Sequence, residues 1–520
     1  MFYTQSGWYQ FEGRLSMHIT LNKQLNAPIY QQIKNQIIRH ILSGTLPAGA
    51  VLPSERQLAE QLGINRSTVN KAYWELKSEG FVDAQMGSGT VVASQFSRST
   101  ASTDAYVPPM PWAQIMTQPY QLSGNTIIKT ALEAIGEPDT ISFAGGFAGE
   151  DVIPIDIVET LLPKCLQTYG SQLLHPTPLL GLTALRSALC RQGMLKGIQT
   201  GTQQCMITSG AQQAISYLTS LFISPGDMIF TAAPSYVGAI EIFKAHGAKV
   251  VGIPADHFGM DTDILENYLI RYRPKLIYLN PNFQNPTGTY LPIERRQKLL
   301  DLAYLYQIPV IEDDPYSEIY FNSIDVPLLK AMDRHQYVIY IGTFSKLFFM
   351  GGRIGWIFGA EEVIQRLSFM KQVTDLHANT MHQYLFLEAM QSGLLTKHLE
   401  RFRAQVKAKQ DVMVEALKAY HIDGMSFEIP TGGFYLWLKL PPRLNAHSFF
   451  EACKALKVAV MPGDPFFPQA TADHTYVRIN YTYPAISDIH EGIRRIAKAI
   501  ETATVTGKSA TKDNYTDLIL

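Results

Sequence analysis

Lys346 lies in the run Gly342-Thr343-Phe344-Ser345-Lys346, and Arg353 follows seven residues later, after a Gly351-Gly352 pair. A lysine on a turn is by default a surface residue. Here the hydroxyls, glycines and arginine stand between two apolar runs, 338–341 and 354–358. That setting suits an amine held in a desolvated pocket beside a bound phosphate. Asp313, within Glu312-Asp313-Asp314-Pro315-Tyr316, ends another apolar run with carboxylates, which are costly there unless paired with a cation or a donor. Asn285 sits in a turn held by Pro286 and Gly288. Thr208-Ser209-Gly210-Ala211-Gln212 follows a strand-like run and opens a helix, so its backbone N–H groups form an anion site, although such a turn alone is common. Tyr236, after Pro234-Ser235, has a face that could stack on a planar ring; a place in the core is the commoner fate of a tyrosine. Arg478, in Tyr476-Val477-Arg478-Ile479-Asn480, has the planar fork that grips a carboxylate, with a surface ion pair as the ordinary alternative.

A second group of polar residues has a different chemistry. Arg66, Ser67, Thr68, Asn70 and Lys71 gather at the start of one helical stretch, where they offer hydrogen bonds to base edges and phosphates. Ile29, Ile33, Ile37 and Ile41 recur at helical spacing before it, and Gly44 stops that helix. Ser54 and Gln57 predict a capping box for a second helix through Leu58 and Leu62, and Gly63 turns the chain. Asn65 then caps a third helix with Val69, Ala72, Tyr73 and Leu76 on its apolar face and Gly80 at its end. A supporting helix followed by two short helices around a glycine turn is a helix-turn-helix, and 81–92, with Gly87 and Gly89 at its tip, reads as a hairpin wing. A small helical bundle charged only for solubility is the alternative, and a surplus of two basic residues over 17–94 does not exclude it.

The bulk numbers bound both readings. With 46% hydrophobic and 17% charged residues in 520, the chain is globular and long enough for about three cores. The net charge of −1 leaves room for a small nucleic-acid-binding module in a neutral remainder. Cys165, Cys190, Cys205 and Cys453 are too scattered for a disulfide framework or a zinc site, no metal site is expected, and a cytosolic, cytoplasmic location fits best. No apolar run approaches the length of a membrane span, and the first residues lack the order of a signal peptide. Residues 1–16 read as a tail with Met17 as an alternative start, 17–93 as the helix-turn-helix domain, and 94–139 as a Ser/Thr/Pro/Gln-rich linker. As flexible chain, that linker would span about 35–40 Å. From 140 to 505, strand-like runs at 205–208, 228–231, 249–253, 276–280, 309–312 and 338–342 alternate with helical stretches. This predicts an α/β domain with a mostly parallel sheet and ligands at the carboxyl ends of its strands. Residues 506–520 read as a C-terminal tail.

The segment PIYQQIKNQI through LPSERQLAEQLGINRSTVNKAYWELKSEGFVDAQMGSGTVV resembles the winged helix-turn-helix of the GntR family of bacterial regulators. The ordered motifs TSGAQQA, PSY, NPNFQNPTG, EDDPY, GTFSK and YVRINYTY resemble fold-type I aminotransferases that use pyridoxal 5′-phosphate. Together they resemble the MocR subfamily. The implied architecture is a mainly α winged helix-turn-helix, then an α/β fold-type I domain with a large part at about 175–390 and a smaller α+β part at about 391–505. The resemblance implies that Lys346 forms the Schiff base and Asp313 partners the ring nitrogen. Asn285 and Tyr316 would bond the ring's phenolic oxygen, and Tyr236 would stack on the ring. Ala211, Gln212, Thr343, Ser345 and Arg353 would hold the phosphate, and Arg478 the carboxylate of an amino acid. Arg56, Arg66, Ser67, Thr68, Lys71, Gly87 and Gly89 would contact DNA.

The family implies a homodimer that binds promoter DNA and responds to pyridoxal phosphate, or to an amino acid or amine joined to it as an aldimine. A working aminotransferase with an accessory DNA-binding domain is the rival expectation. Two departures stand out. Met350 replaces a frequent proline, and His175 occupies the place of a tyrosine that often reaches the partner's phosphate, which leaves that cross-dimer contact open.

Overall fold

The computed structural model describes residues 5–10, 16–22, 27–85, 89–94, 110, 133, 137–322, 326–442, 444, 446–469 and 475–507. The chain divides into two compact units, Met1–Ile115 and Met116–Leu520.

In the first unit, α1 (Ile29–Leu42), α2 (Glu55–Leu62) and α3 (Arg66–Ser78) enclose a core of Ile33, Ile37, Ile41, Leu58, Leu62, Val69, Ala72, Tyr73 and Leu76. The local signals act as expected. Ser54 and Gln57 close a capping box on α2, Gly63 takes the left-handed conformation that ends it (φ 62°), and the Asn65 side chain accepts from the Ser67 N–H. Lys34 on α1 bonds Glu75 of α3 at 2.8 Å and Glu79, which caps the end of that helix, at 2.9 Å. Residues 5–10, expected within a featureless tail, instead form β1 (Gln5–Gln10), antiparallel to β2 (Ser16–Leu21). A two-stranded ladder needs only backbone groups, so no side-chain period announces it. The wing is β3 (Val82–Gln85) against β4 (Gly89–Val92).

The first described strand of the second unit is β5 (Ile141–Ser142). The unit's centre is an eight-stranded sheet made of β6 (Cys205–Thr208), β7 (Met228–Ala233), β8 (Lys249–Asp256), β9 (Gly259–Met260), β10 (Leu276–Leu279), β11 (Val310–Asp314), β12 (Val338–Thr343) and β13 (Gly355–Phe358). The strand order is β6-β13-β12-β11-β10-β7-β8-β9. Strands β12, β11, β10, β7 and β8 run parallel. Strand β13 reverses, and β6, antiparallel to β13, runs with the parallel set again. Both faces are covered. Ile339 and Ile341 of β12 join one core cluster with Leu276 and Tyr278 of β10, while Val338, Ile277 and Leu279 join another. The carboxyl ends of β6, β7, β10, β11 and β12 therefore share one edge of the sheet.

A second sheet, ordered β14-β15-β18-β17, is built from β14 (Ser426–Phe427), β15 (Tyr435–Lys439), β17 (Met461–Pro462) and β18 (Tyr476–Asn480). Between them in sequence, β16 (Val458–Ala459) pairs with β5 in parallel. Ile141 and Ser142 thus join the strands of the smaller C-terminal part, a long-range pairing that separated sequence stretches do not reveal.

Candidate functional site

The carboxyl edge of the large sheet and the second sheet enclose a cavity of about 510 Å³. Ala211, Gln212, Tyr236, Asn285, Asp313, Tyr316, Thr343, Ser345, Lys346, Arg353 and Arg478 all line it, so every residue expected to bind cofactor or carboxylate is brought to one place. Strand ends deliver most of them. Asp313 is the fourth residue of β11, Thr343 the last of β12, and Asn285 and Tyr236 follow β10 and β7.

Lys346 donates to the Gly146 carbonyl at 2.5 Å. Burial, and then the positive charges of Arg478 and Arg353, lower its pKa to about 8 despite the opposing charge of Asp313. Asp313 is 3% exposed and accepts the Tyr278 hydroxyl on Oδ2 at 2.6 Å, and its Oδ1 is buried without a partner. Burial raises its pKa to about 7, against the pull of the Tyr278 hydrogen bond. The neighbouring carboxylates have structural work. Glu312 accepts the Leu329 and Lys330 N–H groups, while Asp314 accepts from Asn282, Ser317 and Tyr340. In this triplet only the middle carboxylate keeps an open valence.

At the other end, the helix Ala211–Phe222 starts at Gly210 (φ 85°) with no side-chain cap. Arg353, itself left-handed (φ 49°), donates to the Ser209 carbonyl at 2.9 Å and to Ser345 Oγ at 3.2 Å, and Thr343 Oγ1 bonds Ser345 Oγ at 3.1 Å. A Cβ built on Gly210 would lie 2.7 Å from Arg353 Nη2, so the closeness of the arginine to the helix start depends on glycine. Uncapped N–H groups, two hydroxyls and a guanidinium in one corner form an anion cradle.

Arg478 is 4% exposed. Its register opposite Trp437 on β15 and Met461 on β17 turns it to the cavity face. It donates to Asn285 Oδ1 at 3.0 Å and to the Ala144 carbonyl, lies 4.4 Å from the Tyr435 ring centroid, and leaves Nε buried without a partner. Tyr236 donates to Gln212 Oε1 at 2.9 Å, and Tyr316 shares a hydrogen bond with Tyr435 at 2.9 Å. His175 is exposed and does not line the cavity.

Sequence reasoning missed Tyr278, Asn280, Tyr435 and the carbonyls of Ala144 and Gly146. Asn280 accepts the Asn285 N–H and donates to the Asp313 carbonyl, which fixes the turn to the strand. Tyr278 lies in the uniformly apolar, buried run of β10, where nothing in the sequence sets its hydroxyl apart. The carbonyls carry no sequence signal.

Residues 156–496 match the family "Aminotransferase class I and II", and residues 29–92 match "Bacterial regulatory proteins, gntR family". The chain belongs to the aminotransferase class I and II family, with a gntR-type DNA-binding domain before it. Its two-domain order matches the MocR-type architecture. The chain is 30% identical over 477 residues to the HTH-type transcriptional regulator YisV of Bacillus subtilis, covering 92% of this chain and 97% of that one. It is 35% identical over 380 residues to aromatic-amino-acid aminotransferase 1 of Thermococcus litoralis, covering 72% and 91%. The kynurenine aminotransferase of Pyrococcus horikoshii, solved in complex with PMP, superposes with a TM-score of 0.72 at 32% identity, covering 75% of this chain and 98% of that one.

The family's cofactor is pyridoxal 5′-phosphate, and the residues present fit it. The free Oδ1 of Asp313 suits a protonated ring nitrogen, the cradle at Gly210 suits a phosphate, and Lys346 is the amine between them. When bound, the cofactor supplies an aldehyde that captures a primary amine and a ring that draws electrons from the captured carbon.

In the DNA-binding unit, Arg56, Arg66, Ser67 and Lys71 are exposed and Thr68 is half-buried. Glu55 organises this surface: its Oε2 accepts from Arg66 at 3.3 Å and its Oε1 from Asn70 at 2.9 Å. Lys71 Nζ lies 4.0 Å over the Tyr30 ring. Gly89 is exposed at the start of β4 with φ 85°, while Gly87 lies outside the described residues. Among the described residues no helix is long and apolar enough to cross a membrane.

Proposed function

We propose that the chain is a ligand-responsive bacterial transcriptional regulator, a cytoplasmic homodimer that senses pyridoxal phosphate, or an amino acid or amine captured by it, at Lys346. Arg56, Arg66, Ser67, Thr68, Lys71 and the wing glycines Gly87 and Gly89 contact promoter DNA. In the cavity, Lys346 holds the cofactor and Asp313 keeps its ring nitrogen protonated. Asn285 and Tyr316 face its phenolic oxygen, and Tyr236 lies against the ring. Ala211, Gln212, Thr343, Ser345 and Arg353 hold the phosphate, and Arg478 receives a carboxylate. One observation carries this reading: a buried carboxylate oxygen without a partner lines the same cavity as Lys346, in a chain that also exposes a polar recognition helix. Regulation requires the ligand to bind two arrangements of the dimer with different affinity.

The test mixes full-length protein, pyridoxal phosphate, candidate amino acids and the promoter upstream of its own gene. DNA affinity should change with ligand, and affinity indifferent to every ligand would sink the sensor. A second reading, an active aminotransferase with an accessory DNA-binding domain, is favoured by the completeness of the site, since amine, ring carboxylate and carboxylate fork line one cavity. Sustained turnover with a keto acid would establish it.

A further inference from the structure

We infer that Gln213 and Asp375 are positioning residues for the phosphate cradle: Asp375 orients the Gln213 amide, and that amide pins the Ser209 peptide, whose carbonyl holds Arg353. The inference rests on the reading of Arg353 as a phosphate ligand above. Gln213 is the third residue of the helix Ala211–Phe222. In a capping box a glutamine at this position reaches back to the N–H of the N-cap residue. Here it reaches one residue further, and its Oε1 accepts the Ser209 N–H at 2.7 Å. Its Nε2 donates to Asp375 Oδ2 at 2.8 Å, across 162 residues of chain. A carboxylate only accepts and a backbone N–H only donates, so the amide fits between them in one orientation. The Ser209 N–H is thereby withdrawn from the cradle, and the carbonyl of the same residue accepts Arg353 Nη2 at 2.9 Å.

Asp375 is itself held firmly. It follows the helix Glu361–Thr374, its Oδ1 accepts the Tyr217 hydroxyl at 2.7 Å, and Lys371 Nζ donates to its two oxygens at 3.0 and 2.9 Å. Burial pushes the Asp375 carboxyl up, but hydrogen bonds from Gln213, Lys371 and Tyr217 outweigh it and keep the pKa below the usual carboxylate value. Lys371 is 0% exposed, so the pair is a fixed charge and its counter-ion and not a mobile surface contact. Every link lies within one chain and stands whatever a second subunit adds to the cavity. Gln213, Lys371 and Asp375 do not line that cavity, so they reach a bound phosphate only through Ser209 and Arg353.

The test compares pyridoxal 5′-phosphate with pyridoxal, which has the same aldehyde and ring and no phosphate, on cofactor-free full-length protein. Lysine-bound absorption reads both affinities, and the melting temperature without ligand reads folding. The parent should prefer the phosphorylated form. Gln213→Leu should weaken pyridoxal phosphate about tenfold and leave pyridoxal unchanged. If it does not fold, Gln213→Met keeps the length of the side chain without its amide. Asp375→Asn should also weaken pyridoxal phosphate, by about threefold or more, although loss of a negative charge near an anion site would by itself strengthen it. An Asp375→Asn protein that binds pyridoxal phosphate as well as the parent or better would overturn the inference. So would Gln213 variants that keep the parent's ratio, or that lose both ligands equally, as a packing role predicts. A parent that binds the two ligands alike would overturn the phosphate reading of Arg353 as well.

Discussion

Tyr278 donates its hydroxyl to Oδ2 of Asp313 at 2.6 Å, and Oδ1 of the same carboxylate is buried with no partner. A single hydrogen bond is too little for a carboxylate at 3% exposure, and the raised pKa of about 7 expresses that deficit. In the function proposed above, the donor that completes it is the ring nitrogen of the cofactor.

Asp313→Asn should consequently separate folding from function. A raised folded-state pKa means that the native state binds the proton more tightly, so the burial penalty grows from pH 3.8 upward and is complete above about 7. The cofactor-free variant should be more stable than the parent by on the order of 2–4 kcal/mol above about pH 7, with the gain shrinking as pH falls. Cofactor affinity should fall by roughly 30-fold or more. Thermal melts across pH and a cofactor titration check the two halves, and a variant equally stable at every pH would show that Asp313 is not strained.

Lys346 makes a prediction in the same variable. With its pKa lowered to about 8, the neutral amine dominates above that pH, whereas an ordinary lysine would need 10.5. The rate at which cofactor-free protein captures pyridoxal phosphate should rise through about pH 8 and then level off. Arg478→Gln removes the larger of the two neighbouring positive charges and should move the inflection upward. Lys346→Ala should abolish the lysine-bound absorption altogether.

Arg478→Lys keeps the charge and loses the fork. Amino-acid binding should weaken by about tenfold or more while the cofactor's absorption is retained, because no single ammonium reproduces bidentate contact from a guanidinium that also bonds Asn285 and Ala144. Equal affinities in the two proteins would remove Arg478 from the site.

At Gly210, a positive φ and a Cβ position 2.7 Å from Arg353 Nη2 coincide. Gly210→Ala should lower cofactor affinity, on the order of 1–2 kcal/mol, through backbone strain and displacement of the guanidinium. Inorganic phosphate should compete less well in the variant, and unchanged competition would contradict the cradle.

In the DNA-binding unit, Arg66→Ala should weaken operator binding by about 1–3 kcal/mol and leave the cofactor's absorption untouched. Glu55→Gln exchanges a charged acceptor of Arg66 and Asn70 for a neutral one. Binding to unrelated DNA should tighten as the negative charge goes, and the ratio of specific to unrelated affinity should fall. A ratio unchanged from the parent would mean that Glu55 contributes charge alone.

Much of this arrangement is legible in order along the chain because its signals are local. Ser54 with Gln57, Gly63 and Asn65 mark helix ends through their nearest neighbours, and the six strand runs from Cys205 to Gly342 are short, apolar and bounded by turns. Lys346, Asp313, Asn285 and Arg353 stand out because an ionic or amide group at the end of a buried strand needs a reason to be there. The β1–β2 hairpin escaped because backbone pairing leaves no side-chain period. Tyr435 and Tyr278 escaped because an aromatic in an apolar run reads as core until its hydroxyl is seen to meet Tyr316 or Asp313.

The sequence by itself determined which groups are present, the elements that carry them and the domain family each belongs to, since propensity, capping and motif order act over a few residues. Only the tertiary structure decided which carboxylate of Glu312, Asp313 and Asp314 is left unsatisfied, that Arg478 turns inward, and that the carbonyls of Ala144 and Gly146 reach the site. Each depends on partners distant in the chain, with Leu329 17 residues from Glu312, Asn285 193 from Arg478 and Ala144 334 from the same guanidinium. Hydrogen-bond satisfaction is settled by neighbours in space, and those neighbours exist only once the sheets have closed on the cavity.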